Sequence, residues 1–152
     1  MKVHNKIVIA SQLFERAHEI FESAKTDTDF ALSLLLAGAV VGIIAPVLAE
    51  QGGHPMHDLL ARIANATAES EESKYHVGLF RAAYNSLKHS GNSRQKIAPS
   101  EDLEFEADIA TEAAHMLAVA KADFNEVRVS SEIQNQCSLS FIALLESERE
   151  YA

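Results

Sequence analysis

Arg81, Asn85 and His89 stand four residues apart in the stretch "RAAYNSLKHSG". On a helix each step of four turns about 40° and climbs about 6 Å, so the three would lie along one flank. An arginine and a histidine at the two ends of such a row can hold one phosphate-bearing ligand between them. The helix dipole favours the charged form of a histidine in the last turn, where it can bind phosphate or act as a general acid. Tyr84 and Lys88 form a neighbouring i, i+4 pair. The row therefore reads in two ways. It is a ligand-binding surface made of Arg81, Asn85, Lys88 and His89, or it is the wet side of an amphipathic helix with ordinary capping chemistry at its end.

A second set lies in "GGHPMHD", which offers His54, His57 and Asp58. A His-x-x-His step can share a metal when a third ligand comes from elsewhere. His76, His115 and Glu112 are the available helpers, and Glu112 and His115 share a helix face at i, i+3. The commoner fate of such loop histidines is exposure or capping, and the sequence leads us to expect no metal or other cofactor. His18 and His115 sit beside apolar stripes and read as boundary histidines with a satisfied hydrogen bond. Cys137 is the single cysteine, so an intramolecular disulfide and a cysteine-rich zinc site are excluded. On its apolar stripe it reads as a small buried hydrophobe. The chain has no HExxH, EF-hand loop, Walker loop, G-x-G-x-x-G or G-x-S-x-G, so P-loop nucleotide hydrolysis is not expected.

The formal net charge is −9, which opposes nonspecific binding to nucleic acid or an anionic membrane. The charge is unevenly placed. No Asp or Glu occurs between Ser73 and Ser100, a span that holds Lys74, Arg81, Lys88, Arg94, Lys96, His76 and His89. Acidic runs flank it at Glu69, Glu71 and Glu72 and from Glu101 to Glu106. Such a basic island on an acidic chain is either surface variation or a local anion site.

These residues must be positioned by helices, because the chain shows helical periodicity and no period-2 strand. With 152 residues, 47% of them apolar, it can build one domain, residues 1–152, around a real core. The spacing predicts six helices: Val3–Ala24, Thr28–Gln51, Met56–Ala68, Glu72–Ser90, Leu103–Val127 and Glu132–Glu150. Met56, Leu59, Leu60 and Ile63 point inward on the third. His76, Leu79, Phe80, Ala83, Tyr84 and Leu87 do so on the fourth. Gly91 to Asp102 forms one long polar loop. The second helix contains "FALSLLLAGAVVGIIAPVLA", which is as long as a membrane span. Its flanks carry Asp27, Asp29 and Glu50 and no arginine, so it reads better as the buried centre of an all-α bundle. No signal peptide is recognisable, and a cytoplasmic protein without a membrane is expected. The narrow apolar stripe of the last helix packs within the chain or across a homodimer.

The apolar run followed by "FRAAYNSLKHSG" and "DLEF…ATEAAHMLAVAKADFN" resembles small bacterial helical proteins, similar in outline to the HEPN superfamily (higher eukaryotes and prokaryotes nucleotide-binding domains). The likeness covers Phe30 to Asn125. It implies a helical dimer with an RNA or nucleotide ligand. Active members are metal-independent ribonucleases whose motif ends in a histidine, which His89 matches, with Asn85 at the polar position before it. The motif arginine has no match at Tyr84, and Arg81 lies further back. The resemblance therefore implies a non-catalytic binding or interaction module. An endoribonuclease with His89 as acid/base and Arg81 on the phosphate is the first alternative. A metal-dependent enzyme using His54 and His57 is the second.

Overall fold

A computed structural model of the chain describes residues 1–71, 74–91, 96–148 and 151; Glu72 and Arg94 lie outside them. Among the described residues the protein has seven α-helices and no β-strand. They are α1 (Lys6–Ser23), α2 (Asp27–Glu50), α3 (Met56–Ala66), α4 (Ala82–Lys88), α5 (Ile109–Glu126), α6 (Ser131–Gln134) and α7 (Leu139–Glu146). The helix starts are written in short polar residues. Asn5 accepts the Ile7 and Val8 N–H groups at the head of α1. Thr26 and Asp29 form a reciprocal capping box at α2. Asp108 and Ser138 cap α5 and α7.

α2 is the central helix of the bundle, packed between α1 and α5. Its Leu34, Ala37, Val40, Val41, Ile44 and Leu48 meet Phe14 and Ala17 of α1 and Met116, Leu117 and Ala120 of α5 in one continuous core. α2 is also the one described helix long and apolar enough to cross a membrane, and 44% of its most apolar stretch is buried in the bundle. Phe14, Phe124 and Phe141 meet edge to face, with ring centroids 4.9–6.1 Å apart. Phe141 therefore ties the last helix to the core of its own chain.

Several predicted boundaries are corrected. The fourth helix starts late: residues 74–76 are irregular, Val77–Arg81 is a 3₁₀ turn, and α-helix starts only at Ala82. A β-branched Val77 followed by Gly78 is a poor helical start, and no Ser, Thr, Asp or Asn side chain caps it. The inward stripe consequently fails in its first half, leaving His76 and Leu79 exposed. Ile63 on α3, expected inward, is exposed too. The fifth helix starts at Ile109, not Leu103, because Asp108 supplies the cap and Glu104 and Glu106 stay in an exposed irregular segment. The sixth breaks into α6 and α7, where Ser138 starts a new cap.

Close approach of α4 to α2 depends on Gly38. A β-carbon there would overlap the ring of buried Tyr84. Gly38→Ala is expected to lower stability by about 1–3 kcal/mol, the usual cost of overpacking. Urea unfolding checks this, and an unchanged midpoint would show that Tyr84 moves aside freely.

Candidate functional site

The structure draws one member of the Arg81–Asn85–His89 row away from the others. Arg81 ends the 3₁₀ turn and has non-helical backbone (φ −122°, ψ 15°). His89 lies beyond the last turn of α4, in extended conformation. Only Asn85 is inside the helix, so the straight flank implied by the spacing does not form. Asn85, Lys88 and His89 are exposed, while Arg81 is half-buried. Arg81 and Lys88 do share the Tyr84 ring, with their charged groups 5.2 and 4.6 Å from its centroid.

Arg81 turns into a cleft of about 250 Å³ between α2, α3, the 3₁₀ turn and α5. Its floor is Gly42, Ala45, Pro46 and Ala49, one face of α2 at i, i+3, i+4 and i+7. These small residues leave the space open. Pro46 has no N–H, so the Gly42 carbonyl is also left out of the helical i→i−4 ladder. Pro55, His57 and Asp58 at the head of α3 form one wall, Val77 and Arg81 another, and Asp123 of α5 completes the site.

α3 has no side-chain cap of its own. The Met56 N–H donates instead to Asp123 Oδ1 at 2.7 Å, so a carboxylate from α5 anchors the helix that carries His57. The other oxygen, Asp123 Oδ2, is buried with no hydrogen-bond partner in the protein. The same holds for both ring nitrogens of His57 and for Arg81 Nε. His57 and Asp123 are only 3% and 1% exposed, so this lack of partners is costly.

Phe80 stacks on His57 with rings 18° from parallel, and His115 lies behind it with centroids 5.5 Å apart. Burial, then the neighbouring His115 and Arg81 charges, push the His57 pKa from 6.5 to about 4. The ring is therefore neutral at pH 7, one nitrogen a donor and the other an acceptor. Burial raises the Asp123 pKa; the Met56 N–H opposes this and Asp58 adds to it.

The predicted His-x-x-His step is not brought together. His54 is exposed and His57 buried. Among the described residues no group of three or more His, Cys, Asp or Glu side chains is arranged to hold a metal ion. Cys137 is partly buried on the apolar side, with Sγ 3.6 Å from the Ile133 carbonyl oxygen. Sequence reasoning missed Asp123. Its signal was a carboxylate three residues after Ala120 and four before Val127, on the apolar stripe of α5. No protein family, curated protein or solved structure matches the chain.

Proposed function

We propose that this protein is a binding module for a small anionic ligand, phosphate-bearing or carboxylate, with Arg81 as the anion contact. The observation that supports this reading is Arg81 in the lining of an open cleft, with its buried Nε unpartnered by any group of the protein. A guanidinium held there has an N–H free for an oxyanion, and burial strengthens the bond it makes. Lys88, over the same Tyr84 ring as Arg81, adds positive field beside it. The cleft is smaller than the 300–1,000 Å³ typical of drug-sized ligands, so it suits a phosphate group or a small organic acid better than a whole nucleotide.

The test is titration calorimetry with inorganic phosphate and with propionate at low salt, in EDTA. Saturable binding of either one, weakened at least 30-fold in Arg81→Met, is expected. Ala45→Leu, which fills the floor of the cleft, is expected to block binding while the chain stays folded. Binding that survives both changes would refute the assignment. RNA cleavage in EDTA that His89→Ala abolishes would favour the endoribonuclease reading instead.

A further inference from the structure

The cleft holds an arginine and two carboxylates that do not neutralise each other. No ion pair joins Arg81 to Asp58 or Asp123 among the described residues, although all three line the same small space. An isolated cation and an isolated carboxylate in one cavity each carry a desolvation cost that pairing would relieve. Their surroundings are also opposite in kind. Arg81 Nε carries a hydrogen that no acceptor of the protein takes. Asp123 Oδ2 and one nitrogen of neutral His57 carry lone pairs that no donor of the protein fills.

We infer that the ligand is a small zwitterion of the amino-acid class, its carboxylate on Arg81 and its ammonium on Asp123. This rests on the Arg81 reading above and adds the second end of the molecule. The ammonium would donate to Asp123 Oδ2 and the free His57 nitrogen, with Asp58 adding negative field. A second anionic group in that place would face two carboxylates and be repelled, so a dicarboxylate does not fit. A zwitterion carries no net charge, so the −9 charge of the chain does not oppose its approach as it would an anion's. Val41, Ala45, Pro46 and Val77 provide apolar contact for a short side chain between the two ends.

Three related probes separate the contributions: alanine, propionate, which lacks the ammonium, and ethylamine, which lacks the carboxylate. Calorimetry at pH 7 is expected to show alanine binding at least tenfold more tightly than either of the others. In Asp123→Asn, whose amide oxygen can still accept the Met56 N–H, the advantage of alanine over propionate is expected to fall below twofold. Propionate affinity itself should hold, and an unchanged thermal midpoint would show that α3 is still anchored. If propionate binds through Arg81 and alanine binds no better, the zwitterion inference is wrong and the anion site stands. If none of the three binds and phosphate does not bind either, both fall. An alanine preference that Asp123→Asn leaves intact would also overturn the inference, because the ammonium would then lie elsewhere.

Discussion

Lowering the pH from 7 to about 4 is expected to cost the fold about 3 kcal/mol through His57 alone, and His57→Leu is expected to remove that cost. The imidazole is held neutral in the folded protein, with its pKa pushed down to about 4, whereas in the unfolded chain it returns to 6.5. The unfolded state therefore binds a proton that the folded state refuses. The contribution is fully present above pH 6.5 and is lost as the pH falls toward 4; the gap corresponds to about 3 kcal/mol. Asp123 acts in the opposite direction. Its folded pKa is raised, so its contribution is present at acid pH and is lost as the pH rises through the folded value. It offsets part of the His57 loss. The capping carboxylates Asp29 and Asp108 are lowered by the N–H groups they accept, so what they contribute is lost only below about pH 4. Urea unfolding at pH 7, 5.5 and 4.5 checks the expectation. Equal slopes in wild type and His57→Leu would show that the ring titrates freely.

The second large effect is a separation of binding from stability at Arg81. Its Nε is buried without a partner, an arrangement that costs free energy, while stacking on Tyr84 returns about 0.5–1 kcal/mol. Arg81→Met keeps an unbranched side chain and removes the half-buried charge with its unpartnered Nε. Stability is expected to stay within about 1 kcal/mol of wild type, or to rise. Oxyanion binding is expected to weaken at least 30-fold, because truncating one partner of a buried charge pair costs about 2–5 kcal/mol. The same change at exposed Lys88 is expected to alter binding less than threefold. A destabilised Arg81→Met protein with intact binding would reverse the roles assigned to the two residues. Proteins keep destabilising polar groups chiefly where function needs them, and Arg81, His57 and Asp123 share one cleft.

The helical architecture was legible because its causes are local. The unbroken apolar run of α2, the Thr26–Asp29 capping box and the Gly-Gly-His-Pro break all act within a few residues of themselves. The failures fall where two local tendencies compete. Val77-Gly78 weakens a helix that the apolar spacing favoured, and Ser138 begins a new cap inside a stripe that Ile133, Cys137 and Phe141 continue. The site was legible only in fragments. Arg81 was visible as part of a row with Asn85 and His89, and His57 as half of a metal step with His54. Neither grouping forms, because the 3₁₀ turn rotates Arg81 off the row and Pro55 starts α3 between the two histidines. What unites Arg81, His57 and Asp123 is the packing of α3 and the 3₁₀ turn against α2 and α5, and no spacing along the chain encodes that. Asp123 was the most informative residue available: a carboxylate on an apolar stripe needs a partner, and the Met56 N–H satisfies only one of its oxygens.

The Nε–H resonance of Arg81 gives the most direct reading of the central claim. Its proton is buried and unpartnered in the free protein, so an oxyanion that binds there must move it downfield. In a proton–nitrogen correlation spectrum followed through a phosphate or propionate titration, we expect a large shift that saturates, with the His57 ring signals following the same curve. Shifts confined to exposed Lys88 and His89, growing linearly with added anion, would contradict the account and return the cleft to being an unfilled gap between helices.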